Sequence, residues 1–310
     1  MVFSRSAAAV RACAAAAFLG VTSLLAVCGS PSSHVLNGAP DEPWYFAALA
    51  VPMPPPTGWG KGELVALIDS GLDYASLPTL SPRVVSPWNQ VTGKQDVSDD
   101  NGHGTEVAVV AAGGGDGGVW GLAPAAGVMP IKVTDADGYA TPSAVAAAID
   151  RAVTLHASVI NLSLASEVPD LGITRAIQMA MASGVVVVAA AGDVDEAGAQ
   201  FPASIAGVIA VYAQDQSGAP AERYNRPVGS AVMAPGIDVV TLVVSKGRIS
   251  KKLTSGSSVA TAFVSALIAD CLGVQAEHGA PRERAITMCK ARMVRSPNAP
   301  GFLNVRSILA

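Results

Sequence analysis

The stretch LVALIDSGLD, residues 64–73, decides how the rest of the chain is read. Five apolar residues stand in a row from Leu64 to Ile68, and a carboxylate, Asp69, follows at once, ahead of Ser70 and Gly71. A strand that is apolar at successive positions, not alternate ones, has both faces covered, as strands have in a parallel sheet lying between helices. The same kind of run recurs at GVMPIKV (127–133), ASVINLSL (157–164), VVVVAAA (185–191) and GVIAVYA (207–213). Helical stretches follow several of them, over residues 143–155 and 171–183. The expected fold is therefore α/β, a mostly parallel central sheet with helices on both faces. In such a sheet the site lies beyond the carboxyl ends of the strands, which is where Asp69 stands.

Length and composition agree with one large domain. The chain has 310 residues, 50% of them apolar and 14% charged, so a sizeable core is available. Twenty basic and twenty-four acidic side chains give a net charge of -4 with no long run of either sign, which leaves no electrostatic footprint for nucleic acid. Neither an internal repeat nor a second change of composition divides residues 41–310.

Residues 1–28 differ from all that follows. Arg5 and Arg11 precede an apolar run over residues 12–27, which has the layout of a secretory signal and is short for a membrane span. Residues 29–40, turn-rich and polar, read as a tether. Two cysteines, Cys13 and Cys28, belong to the export segment, and two, Cys271 and Cys289, fall on predicted helices of the folded part. Outside the cytoplasm a helix-to-helix disulfide and a pair of buried thiols are both open for the latter two. No cluster has zinc-ligand spacing.

Three places put a reactive side chain where an apolar element stops or starts. Asp69 ends the first run; alone it reads as a turn residue. His103 sits between two glycines in DNGHGTEVAVVAA (100–112), at the front of an alanine-rich helix, and the flanking glycines permit close backbone approach. His34, His156 and His278 lack such flanks. Ser258 lies in TSGSSVATAFVSALIADC (254–271), where a helix begins; Ser255 and Ser257 are equally good helix caps, so position alone does not choose among the three. An acid, an imidazole and a serine in that chain order form one of the known orders of a nucleophilic triad.

Here a resemblance becomes specific. VALIDSGLD (65–73), NGHGTEVA (101–108) and SGSSVATAFVSA (255–266) resemble the three signatures of the subtilisin-like serine proteases, the subtilases of peptidase family S8. GLAPAAGVMPIKV, VINLSLAS, VVVVAAAGD, FPASIAGVIAVYA, VMAPGIDV and GFLNVRSIL resemble the family's other segments in the right order. The resemblance implies a three-layer subtilisin-like fold over residues 41–310 and serine endopeptidase activity on polypeptides. It assigns the nucleophile to Ser258, the general base to His103 and the orienting carboxylate to Asp69. It also implies that Ser163, Leu164 and Ala165 pair with an extended substrate and that Ala190 and Gly192 help wall the specificity pocket, with Ala165 and Ser166 in place of glycines narrowing its entrance. No cofactor is required for that chemistry; structural calcium is possible but not indicated, a site from Asp193, Asp195 and Glu196 being a weaker reading than a solvated acidic loop. In the same way LLAVCGS (24–30) resembles the lipobox of bacterial lipoproteins. That likeness implies lipidation of Cys28 and a periplasmic or cell-surface protein anchored to the membrane, although Val27 stands where a small residue is usual. Ordinary signal cleavage and an uncleaved anchor remain open, and all three place the domain outside the cytoplasm.

Several departures bear on activity. Asp193 occupies the position of the family's asparagine, whose amide donates to the oxyanion. Ser257, Val259 and Ala262 replace the usual Thr, Met and Pro, and Val109 a usual glycine. Between Cys28 and Trp44 there is no room for the pro-segment that assists folding in many relatives, so a folding partner is a natural expectation. The alternative to a protease is accordingly a weak or inactive subtilase-like domain that binds peptides or a partner protein; ligation or ester cleavage would use the same triad.

Overall fold

The computed structural model describes residues 25–27, 34–35, 43–229, 231–293 and 302–310. Cys28 and Cys13, and with them the expected lipidation site, lie outside the described residues. In chain order the elements begin with β1 (Leu25–Val27), β2 (His34–Val35), α1 (Trp44–Ala48), β3 (Leu64–Asp69), β4 (Trp88–Asn89), α2 (His103–Ala112), β5 (Gly127–Lys132) and β6 (Tyr139–Ala140). There follow α3 (Pro142–Thr154), β7 (Val159–Leu162), β8 (Leu164–Ala165), α4 (Leu171–Ala182), β9 (Val186–Ala190), β10 (Ile209–Gln214) and β11 (Val232–Pro235). The remainder is β12 (Val239–Ser245), β13 (Arg248–Thr254), α5 (Ser257–Glu277), α6 (Arg282–Met293) and α7 (Val305–Leu309).

Seven strands form one sheet in the order β11-β10-β9-β7-β3-β5-β4. Every neighbouring pair in it is parallel. The successive apolar residues of β3 divide between its faces: Val65 and Leu67 join the core layer of α2 and α5, Ala66 and Ile68 the layer of α3 and α4. The three-layer architecture expected from the runs is thus the observed one. Helix α5 is long and apolar enough to cross a membrane, but 89% of that stretch is buried inside the domain, and it serves as the central core helix.

Four features were not foreseen. The run at 157–164 is broken at Ser163 into β7 and β8. A hairpin, β12 with β13, packs outside the main sheet. Within the expected tether, His34 and Val35 pair antiparallel with β13. Most unexpected, Leu25–Val27, the end of the expected export segment, forms the middle strand of a three-stranded sheet, β6-β1-β8.

Candidate active site

Asp69 ends β3, where the backbone leaves the sheet and its carboxylate can turn back toward α2. Its Oδ1 lies 2.7 Å from His103 Nδ1 and accepts the Ser70 amide at 2.7 Å. Asp69 is buried, while the imidazole of His103 is 11% exposed. With Nδ1 protonated and donating to this carboxylate, the acceptor nitrogen Nε2 is turned away from Asp69. Two glycines make the approach feasible. Gly102 caps α2 with φ 94°, a conformation that favours glycine. A Cβ on Gly104 would come within 2.2 Å of the Gly71 carbonyl oxygen, so a side chain there would push the imidazole helix off the Asp69 turn.

Ser258 is the second residue of α5 and is fully buried. Its Oγ donates to the Ser163 carbonyl at 3.2 Å, and Ser163 Oγ donates to the Ser258 carbonyl at the same distance. The other serines have different work. Ser255 Oγ accepts the Asp238 amide at 2.9 Å, and Ser257 Oγ accepts the Gly192 amide at 3.2 Å. None caps α5, whose N-cap is Gly256. The Ser257 amide, at the positive end of α5, donates instead to Asp193 Oδ1 at 2.9 Å.

Asp193 is thereby drawn into the site and not out to solvent. Part of the residue reaches the surface, but Oδ2 is buried and accepts no hydrogen bond among the described residues. Burial raises this carboxyl above the ordinary aspartate range; bonds from Ser257 and the charge of His103 oppose the rise without cancelling it. Asp193 is thus bonded to the start of α5 and lies within reach of the His103 charge. Asp195 pairs with Arg226. No group of three or more His, Cys, Asp or Glu side chains placed to hold a metal ion occurs among the described residues.

Leu164 and Ala165 form the short edge strand β8, and Ala165 packs on Ala190 at the end of β9. Behind them Ser166, Glu167, Gln200, Phe201 and Asn225 line a polar recess. Ser166 is fixed there by its amide, which donates to the Phe201 carbonyl at 2.8 Å.

A profile of the subtilase family, peptidase S8, matches residues 60–303. The chain belongs to the subtilase family. It is 34% identical over 229 residues to alkaline elastase YaB of Bacillus sp. (strain YaB), covering 73% of this chain and 59% of that protein. Subtilisin BL of Lederbergia lenta is 33% identical over 228 residues, covering 73% of this chain and 82% of that protein. Among solved structures, fervidolysin from Fervidobacterium pennivorans, described as a keratinolytic enzyme related to subtilisin, superposes with a TM-score of 0.73 at 25% identity. The match covers 86% of this chain and 45% of that one. This subtilase therefore spans just over half the length of several relatives that it matches.

The subtilase holds its site with residues that the sequence reading passed over. Asp99 is the hub of the imidazole loop: Oδ1 accepts the Ser70 hydroxyl at 2.8 Å and the Gly102 amide at 2.8 Å, and Oδ2 accepts the Thr105 amide at 2.8 Å and its hydroxyl at 2.6 Å. Lys132, buried at the end of β5, donates to the Ser70 carbonyl at 2.6 Å. Asn161 ties β7 to both Ser163 and Ser265, at 2.9 and 2.8 Å, so the strand fixes α5 beside Ser258. Asn225 accepts the Val194 amide and donates to the Gly198 carbonyl, clamping the Asp193 loop. Asp99 lies in an acidic run that looks like a solvated loop, and only its spacing four residues before His103 could have singled it out. At the far end of α5, Cys271 and Cys289 form a disulfide, with Cα atoms 5.9 Å apart, joining α5 to α6.

Proposed function

We propose that the chain is an exported serine endopeptidase that hydrolyses polypeptides through an acyl-enzyme on Ser258. The observation that carries this reading is the buried Asp69–His103 hydrogen bond, 2.7 Å long, at the end of β3, with the His103 charge felt by Asp193 at the start of α5. In the first half-reaction Ser258 Oγ attacks the scissile carbonyl carbon as His103 Nε2 takes its proton. Collapse of the tetrahedral adduct breaks the C–N bond, the amine leaves with the proton held by His103, and an ester to Ser258 remains. Water then attacks the ester by the same route, and the acid product leaves. Asp69 holds the imidazole in the tautomer that presents Nε2 and stabilises its cation.

Asp193 supplies the side-chain donor to the oxyanion, and it does so as the neutral acid. Its Oδ1 is engaged by the Ser257 amide, so Oδ2 is the oxygen that carries the proton. An ionised Asp193 would oppose the developing negative charge. In a subtilisin, itself the reference case for such donors, losing the donor costs about a hundred- to a thousandfold in turnover.

Export rests on the Arg-then-apolar layout of residues 1–28 and fits a disulfide in the folded part. Anchoring through lipidated Cys28 is the accompanying expectation, and a mature N-terminus found unmodified downstream of Cys28 would refute it.

A second reading, peptide binding without turnover, is favoured by Asp193 itself. Labelling of the purified chain without residues 1–28 by a fluorophosphonate from about pH 4 to pH 9 decides between them. Labelling that disappears in Ser258→Ala establishes an activated nucleophile. A folded protein that is not labelled at any pH, even as Asp193→Asn, is a binding protein.

A further inference from the structure

Helix α2 carries one charged side chain besides His103. Glu106 stands one turn beyond the imidazole, buried on a helix otherwise built of small or apolar residues, HGTEVAVVAA. A carboxylate in that setting needs a partner, because an unpaired charge there loses its hydration with nothing in return. The partner lies 146 residues away in the sequence: Lys252 Nζ donates to Glu106 Oε1 at 2.5 Å. Both members are largely withdrawn from water, with side chains 17% exposed for Lys252 and 7% for Glu106.

The grip on Glu106 is double. Thr241 Oγ1 donates to its backbone carbonyl at 3.0 Å, and Thr241 is the residue opposite Lys252 in the β12–β13 pairing. One rung of the hairpin therefore holds the helix by carboxylate and by carbonyl at once. The same hairpin leads to the nucleophile. Strand β13 ends at Thr254 and α5 begins at Ser257, so Lys252 and Ser258 belong to one short segment. The entrance of β12 is fastened to that segment as well, since the Asp238 amide donates to Ser255 Oγ at 2.9 Å. Glu106 is thus a point at which the imidazole helix meets the unit that presents Ser258.

Apolar packing alone leaves a helix free to turn or slide. Val107, Val109 and Val110 of α2 join the layer that holds Leu242 of β12 and the apolar residues of α5, and the gain from such burial follows area and is indifferent to direction. Two hydrogen bonds from one rung, one of them charge-assisted, are directional. A buried ion pair adds little stability over apolar side chains of the same volume, so its effect here is on placement. We propose that Glu106 and Lys252, backed by Thr241, are positioning residues that set where His103 stands between Asp69 and Ser258. The proposal rests on the catalytic reading of those three residues and deepens it with a pair that acts through α2 and β13, not on the substrate.

Three variants separate placement from stability. Lys252→Met strands the carboxylate, Lys252→Arg keeps the charge, and Glu106→Leu combined with Lys252→Met replaces the pair by apolar side chains, so that a folded protein remains for study if the first variant fails to fold. In the full chain, in detergent, low-field proton NMR reads the His103 Nδ1 proton in its bond to Asp69, with no need of turnover. In the chain without residues 1–28, the rate of fluorophosphonate labelling reads the approach of His103 to Ser258. The expected result, at unchanged circular dichroism, is loss of the Nδ1 resonance and labelling slower by at least about tenfold in Lys252→Met and in the apolar pair, with Lys252→Arg within about threefold of the parent chain. An apolar pair that keeps both the resonance and the parent's labelling rate overturns the proposal, whatever its melting temperature. A parent chain that shows the resonance but is never labelled defeats the catalytic reading alone. The resonance then decides the placement of His103, supporting the pair if the variants lose it and overturning the proposal if they keep it.

Discussion

Asp193 and His103 make opposite demands on pH in the proposed mechanism. His103 must be neutral to accept the Ser258 proton, whereas Asp193 must be neutral, and hence protonated, to donate to the oxyanion. The folded environment holds the Asp193 proton to higher pH than an ordinary carboxyl would, because burial outweighs the Ser257 bonds and the His103 charge. Activity should therefore fall as pH passes through the raised Asp193 value and the oxyanion donor loses its proton. Asp193→Asn supplies the donor at all pH values, so it should raise kcat at neutral pH by about tenfold or more and extend activity to the alkaline side. An unchanged profile in that variant removes Asp193 from the oxyanion. The resemblance placed Asp193 at the oxyanion, whereas the acidic run by itself carries no mark of which carboxylate meets a helix end.

At the scale of elements, α5 carries two separable effects and the start of α2 a third. Asp270 sits on its buried side, 2% exposed, with neither carboxylate oxygen hydrogen-bonded among the described residues, and burial pushes its carboxyl well up. The folded state then binds this proton more tightly than the unfolded chain does. Stability falls as pH rises from the ordinary aspartate value, about 3.9, to the raised folded one, by up to about 1.4 kcal/mol per pH unit. Asp270→Leu should raise the urea midpoint, with a gain that grows toward alkaline pH, and a pH-independent difference would show that the acid is not the cause. Eighteen residues beyond Cys271, Cys289 closes a loop between α5 and α6. In the chain-entropy account its removal, as the double alanine variant, costs about 3 kcal/mol in denaturant unfolding. The third effect lies at the helix start and depends on its neighbours: Asp99→Ala strands the Gly102, Thr105 and Ser70 donors, so the His103 loop should loosen. Turnover should drop about tenfold or more with KM little changed, and stability by about 1–3 kcal/mol. The sequence marked these helices and strands by their periodicity; hairpin β12–β13 escaped because its burial is only partial and it pairs outside the main sheet.

At the scale of the whole molecule, the main sheet separates two apolar layers about 10 Å to either side of it. Leu267 on α5 belongs to one and Ile177 on α4 to the other, and both are fully buried. Leu267→Ala and Ile177→Ala should each cost about 2–5 kcal/mol and, sharing no cluster, should add to within about 0.5 kcal/mol in the double variant. A large coupling would mean that the layers are not independent. The layers themselves were determined by the sequence: runs such as LVALI bury on both faces whatever lies around them, because every position is apolar, and the three reactive side chains follow from their places at the ends of such runs. Which residues hold those side chains in position depended on tertiary structure, because Asp99, Asn161 and Asn225 act on partners that their local sequence does not reveal. The same holds for the β6-β1-β8 sheet. Leu25–Val27 read as part of an apolar export segment by composition, and only the pairing of backbone edges more than a hundred residues away gives it a place in the domain, since edge pairing is made by amides and carbonyls that every residue carries and no side-chain pattern announces.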